Sequence, residues 1–180
     1  MLEIFVDGKE VYVLEQNKFV SVPSCTLTLE HSLISIAKWE SKWHVPYLNA
    51  KKRTSAQELD YIRCMVVGQI KNEYIFACLT PDNISKIQAY VEDSMTATSF
   101  SSDGPKNNKK QKITAETLYC RMFANNIPME CQKWHLNRLI ALIRVCEEFN
   151  RPPTKMDKRQ TAAYYAEENA RRRKQYNSRG

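Results

Sequence analysis

Glycine is scarce in this chain: four residues in 180, Gly8, Gly68, Gly104 and Gly180, each isolated from the others. A phosphate-cradling loop needs clustered glycines so that backbone amides can approach the ligand, so neither a dinucleotide fingerprint nor a P-loop is present. Long apolar runs are missing as well. No stretch approaches the roughly 18 apolar residues of a membrane span, and the opening Met1-Leu2-Glu3-Ile4-Phe5-Val6-Asp7 lacks the basic-then-apolar order of a secretory signal. The expectation is an intracellular, soluble protein. Its six cysteines, at 25, 64, 78, 120, 131 and 146, include no CxxC pair and lie in apolar contexts such as Arg63-Cys64-Met65-Val66. A chain of this size with a Leu/Ile/Val core needs no disulfide staple, so they read as reduced core thiols.

Groupings that could carry catalysis are also lacking. Carboxylates occur as adjacent doublets, Glu92-Asp93, Glu147-Glu148 and Glu167-Glu168, and neighbours on a helix point in different directions. Cys131 and His135 stand four apart on an expected helix, with Cys120 nearby. They suggest three zinc ligands, but no fourth ligand has zinc spacing. As a nucleophile and base they would be stacked along one helix with no third group to orient them, and Cys25 with His31 meets the same objection. Trp39 and Trp43 could expose an aromatic platform; packing against the N-terminal strands and Trp134 is the preferred reading. The chain is therefore read as a binding protein, not an enzyme, with no catalytic residue, metal or cofactor assigned.

What is there is a charge asymmetry. From Arg151 onward nine Lys and Arg face Asp157, Glu167 and Glu168, a net +6, which leaves only +1 of the formal +7 for everything before. The same stretch contains no Val, Ile, Leu or Phe. A division follows: a nearly neutral globular domain over 1–150 and a basic tail over 151–180.

Within the domain, residues 1–29 read as β-rich and 30–150 as helical. Ile4 and Val6 alternate with polar residues before Asp7-Gly8, and Val11 and Val13 do so after it, which predicts a hairpin turning at Asp-Gly. Cys25-Thr26-Leu27-Thr28-Leu29 has the same alternation, so the N-terminus is expected to be a β-hairpin or a three-stranded sheet ahead of a mainly helical domain. The period then becomes helical: Leu33, Ile36, Ala37, Trp39 and Trp43 in a helix ended near His44 by Pro46. Ser55-Ala56-Gln57-Glu58 reads as a capping box opening a second helix over Leu59, Ile62, Met65 and Val66, weakened near Gly68. Thr80-Pro81-Asp82 starts a third, carrying Ile84, Ile87 and Val91, which should stop near Asp93. Residues 99–112 read as an exposed loop. Thr114 caps a fourth helix, and a fifth is expected from Pro128 to about Phe149 as the central packing helix, with Trp134, Leu139, Ile140, Ile143 and Cys146 inward.

After Pro152-Pro153, Ala162, Ala163, Ala166 and Ala170 favour a helix, with Glu167–Arg171 and Glu168–Arg172 as supporting pairs. With almost nothing apolar to dock, this helix is expected to order fully on a partner. Tyr164, Tyr165, Arg171, Arg172, Arg173, Lys174, Tyr176 and Arg179 are the candidate partner-binding residues. Together with Lys106, Lys109, Lys110 and Lys112 they could meet a polyanion by counterion release, or equally an acidic protein surface.

Several stretches carry a resemblance. Ile113-Thr114-Ala115-Glu116, the run Asn126-Ile127-Pro128-Met129-Glu130-Cys131-Gln132-Lys133-Trp134-His135-Leu136-Asn137-Arg138-Leu139, and Leu142-Ile143-Arg144-Val145-Cys146 resemble small proteins encoded in the tail modules of long-tailed bacteriophages. His31-Ser32-Leu33-Ile34-Ser35-Ile36-Ala37-Lys38-Trp39-Glu40-Ser41-Lys42-Trp43, Asp60-Tyr61-Ile62-Arg63-Cys64-Met65, Met95-Thr96-Ala97-Thr98 and the basic ending are similar to the same family. Cys120, Arg121, Phe123 and Asn125 depart from the family's more aromatic pattern, and Ser94 stands where proline is familiar. The resemblance implies a tail assembly chaperone that binds the tape-measure protein or another tail component in the host cytoplasm; a homo-oligomer is left open by the sequence. It supplies no catalytic residues. A structural virion protein of the tail or head-to-tail junction is the alternative, and nucleic-acid binding through the basic tail the second alternative.

Overall fold

The computed structural model describes residues 1–50, 52–100, 112–151 and 158–177. It is mainly helical with a small antiparallel β region at the N-terminus, an α+β fold. The chain divides into two units, Met1–Phe149 and Asn150–Gly180.

Four strands open the first unit: β1 (Leu2–Val6), β2 (Glu10–Val13), β3 (Lys18–Ser21) and β4 (Cys25–Leu29). The expected hairpin between β1 and β2 does not form. β1 pairs with β4, Leu2 opposite Leu29 and Val6 opposite Cys25, while β2 pairs with β3 inside them. The Val22 amide donates to the Lys9 carbonyl at 3.0 Å and bridges the two ladders, so 2–29 is one long hairpin in two sections. Its turn is at Leu14–Gln16 and Asn17, and Asn17 takes the left-handed conformation at φ 50° that Asn tolerates. Gly8 has a different use from the one its Asp-Gly context suggests. Its amide donates to the Ser24 hydroxyl at 2.9 Å, and a Cβ there would lie 2.1 Å from the Val22 carbonyl oxygen. Glycine is needed for close approach of two chain segments, not for a turn.

The helices begin where capping chemistry places them. Ser32 caps α1 (Leu33–Trp43), which ends at His44 in the left-handed conformation two residues before Pro46. Thr54 caps α2 (Ser55–Met65) in a capping box with Gln57, one residue earlier than the expected Ser55–Glu58 box. Both pairs fit the same pattern, and the backbone selects the first. α2 stops at Met65 because the chain turns extended there: Val66 bridges Leu29, and the Val67 amide donates to the Thr28 carbonyl at 2.8 Å. Tertiary pairing ends this helix before Gly68 is reached. Thr80 caps α3 (Pro81–Glu92), and Thr114 with Thr117 caps α4 (Ala115–Ala124).

The expected helix from Pro128 onward is two elements. Met129–Lys133 forms a 3-10 turn, the chain straightens through Trp134 and His135, and α5 runs Leu136–Phe149. The break is tertiary: the Leu136 amide donates to the His31 carbonyl at 2.7 Å, and His135 bridges Ser32. The central helix is α1, which packs against α2, α4 and the Met129–Lys133 turn; α5 lies against α4. Leu33, Ile36, Trp39, Leu136, Leu139 and Ile143 are fully buried together with Leu29 of β4. Trp134, Ile140 and Cys146, expected in the core, are only partly buried, and the Arg138 guanidinium stacks 4.2 Å from the Trp134 ring. A 3-10 turn over Glu73–Cys78, unread in the sequence, adds buried Ile75, Phe76 and Cys78.

Glu40 holds several of these pieces together. Its buried carboxylate accepts from the Tyr47 amide and from the Ala115 amide, both at 2.7 Å, tying α1 to the chain after it and to the start of α4. Charge-assisted bonds of this kind contribute about 1.5–3 kcal/mol each. The expected exposed loop lies almost wholly outside the described residues.

Candidate partner-binding site

The second unit's helix, α6, spans Lys158–Tyr176. Its 19 residues rise to about 28 Å at 1.5 Å per residue. Alanines and four-apart charge pairs explain its formation, and Arg172 reaches Glu168 at 3.5 Å. No apolar stripe is present. Tyr164, Tyr165 and Tyr176 are 53 %, 60 % and 73 % exposed, and Arg171, Arg172, Arg173 and Lys174 are exposed beside them.

At 100° per residue Tyr165, Arg172 and Tyr176 fall within about 40° of one another, and Tyr164 lines up with Arg171. Arg173 and Lys174 point elsewhere, so the cationic charge surrounds the helix. Among the described residues only Arg172 of these four cations makes an ion pair. The Tyr164 and Tyr165 rings meet edge-on, 5.7 Å between centroids. The structure thus brings seven of the eight predicted residues onto one exposed helix; Arg179 lies outside the described residues, as do Lys106, Lys109 and Lys110. An exposed, basic, tyrosine-bearing helix can offer cations and aromatic faces to an acidic surface or polyanion.

The other candidates resolve into structure. Cys131 sits in the 3-10 turn and His135 at the start of α5, so they do not share a helix face. Cys131 is buried, and burial, with Glu130 adding, pushes its thiol up, away from the reactive thiolate. Cys120 is exposed on α4, not a core thiol as expected. Among the described residues no three His, Cys, Asp or Glu converge as metal ligands.

His31 and His135 instead anchor a buried network. Their rings meet edge-on at 5.0 Å, His31 Nδ1 is 2.5 Å from the Tyr61 hydroxyl, and Tyr61 stacks on Tyr47 at 4.0 Å. His135 Nε2 lies 2.9 Å from the Tyr90 carbonyl oxygen. A carbonyl only accepts, so Nε2 carries the proton. His135 Nδ1 is buried and without a hydrogen-bond partner among the described residues. Burial first, then the charges of His135 and Arg53, push the His31 pKa down to about 3. Burial also raises Tyr61 well above its ordinary value and Tyr47 to about 12. His31, Tyr47 and Tyr61 are neutral at physiological pH, which suits a hydrogen-bonded tie between elements.

Trp39 and Trp43 pack toward α2 and Tyr47. The Trp39 indole donates to the Gln57 carbonyl at 2.9 Å and meets the Tyr47 ring edge-on, while Trp43 donates to Asp60 at 2.8 Å. Burial tends to raise the Asp60 pKa, but hydrogen bonds from Lys42 and Trp43 outweigh it and hold the carboxyl below its usual range.

One surface was missed. A groove of about 570 Å³ lies between α2 and α3, with Tyr47 and Tyr61 among its lining. In the sequence Ile84, Ile87 and Val91 read only as one face of the third helix, and it is the partial exposure of Ile84 and Val91 that makes that face a groove wall. Among the described residues no helix is long and apolar enough to cross a membrane. Compared with protein-family models, curated proteins and solved structures, the chain finds no match in any of the three.

Proposed function

We propose that this chain is a non-enzymatic binding protein of bacteriophage tail assembly, which holds the tape-measure protein or another tail component while the tail is built. The observation that carries the reading is α6: a long helix with its tyrosines and arginines exposed and no apolar stripe of its own to bury. The resemblance of the 126–146 region and the α1 stretch to tail-module proteins supplies the client class. Contacts made by such a helix are adaptable and weaken with salt, which suits transient holding of an extended client.

Co-expression of the tagged chain with the tape-measure protein of the same phage, followed by purification at moderate salt, tests it. A soluble complex is expected, and deleting residues 155 to 180 should abolish it. A client equally insoluble alone and together would overturn the chaperone reading in favour of a virion component, which mass spectrometry of purified particles would find at stoichiometric amounts. The exposed cations also favour a nucleic-acid reading. In that case alanine at Arg171, Arg172, Arg173 and Lys174 should flatten the log–log salt dependence of duplex binding by about 3.6, about 0.9 for each of the four cations. An unchanged slope excludes α6 as a polyanion site.

A further inference from the structure

We propose that the groove between α2 and α3 is a second docking site, for an amphipathic helix of a partner protein whose apolar stripe is flanked by Lys or Arg. α2 is held by α1, whereas α3 is held by β1, so the two helices have different supports and a cleft is left between them. Its volume of about 570 Å³ falls within the roughly 300–1,000 Å³ of built binding sites. The walls are aliphatic: Leu59 and Ile62 from α2, Ile84, Ile87 and Val91 from α3. Leu59, Ile84 and Val91 are partly exposed, so both helices contribute apolar surface that the fold leaves wet.

Charge selects the occupant. Glu58 and Glu92 also line the groove, both exposed, and among the described residues neither makes an ion pair. Among the described lining residues the one cation, Arg53, is engaged with Tyr47: its guanidinium stacks 4.3 Å from the ring and donates to the Tyr47 carbonyl at 3.3 Å. Two unpaired carboxylates against one engaged cation make a groove that attracts basic flanks and disfavours acidic ones. A groove with aliphatic side chains on two helical walls receives a third helix through side chains at i, i+3, i+4 and i+7. The site is separate in sequence from α6, so variants of one leave the other intact.

The test uses the full chain and two fluorescein-labelled synthetic helices of about 18 residues with the same leucine stripe, one flanked by lysines and one by glutamates. Fluorescence anisotropy should show the lysine-flanked peptide binding more tightly. In the double variant Glu58→Lys/Glu92→Lys, whose positions are exposed and unpaired, that peptide should weaken at least about tenfold while the glutamate-flanked one gains. A nitroxide on the peptide should broaden amide signals along α2 and α3. Three results would each overturn the proposal: no binding of the lysine-flanked peptide, equal affinity for wild type and the double variant, or broadening confined to other elements. Loss of tape-measure co-purification on removing the tail, with peptide binding intact, would leave this groove standing by itself.

Discussion

Acidification should loosen the first unit through His31. The folded protein holds this ring neutral, its pKa pushed down from 6.5 to about 3 by burial and by the charges of His135 and Arg53. The unfolded chain protonates it at the ordinary value. A depressed pKa contributes stability that is fully present above pH 6.5 and is lost as the pH falls toward the folded value, so the window runs from 6.5 down to about 3. At about pH 4.5 the unfolded state has gained some two pH units of proton binding that the folded state has not, worth about 2.7 kcal/mol at about 1.36 kcal/mol per unit. That is a large part of the stability of an ordinary domain. Asp60 and Glu147 also have depressed values, from Lys42 and Trp43 hydrogen bonds and from the Arg121 pair respectively. Being carboxyls with ordinary values of 3.8 and 4.5, they lose their contribution mainly at and below the acid end of the assay interval. The assay is urea denaturation at about pH 7.5 and pH 4.5, followed by the fluorescence of the tryptophans, Trp39 being fully buried. His31→Asn retains an acceptor for Tyr61 but does not titrate. The wild type should lose about 2–3 kcal/mol more than His31→Asn over this interval. Parallel losses in the two proteins would refute the assignment of a neutral, buried His31.

Other consequences are sharp enough to measure. Glu40→Ala leaves the Tyr47 and Ala115 amides without their acceptor and should cost about 3 kcal/mol in urea denaturation, with Glu40→Gln milder; equal stability of all three would remove the carboxylate from its linking role. Gly8→Ala drives a Cβ to 2.1 Å from the Val22 carbonyl oxygen, and a loss of about 2 kcal/mol or more is expected; an unchanged Tm would mean that the 7–9 and 22–24 segments do not approach. With a dithiobis reagent on the native protein, Cys120 should react fast, while Cys78 and Cys131 react only on unfolding. Rapid modification of the last two would contradict their burial.

Much of the fold was legible because it depends on local chemistry. Thr80-Pro81-Asp82 and Thr114 start helices with their own side chains, and Pro46 follows the end of α1 as expected. Where the reading failed, a distant segment had intervened. Asp7-Gly8 looks like a turn, but Val22 to Ser24 press against Gly8 and β1 reaches β4 instead. The 128–149 stretch has a helical period throughout, yet His31 and Ser32 capture the backbone at Leu136 and His135 and divide it.

The sequence alone determined the charge asymmetry, the helical tail without an apolar face, the positions of most helix starts and the absence of nucleotide-binding glycine clusters. These depend on composition or on neighbours three or four residues apart. Only the tertiary structure decided strand pairing, the buried role of Glu40, the His31–Tyr61 bond and the cleft between α2 and α3. An apolar stripe reads the same whether another helix covers it or water does. That difference is set by what the rest of the chain brings alongside, which no local pattern encodes.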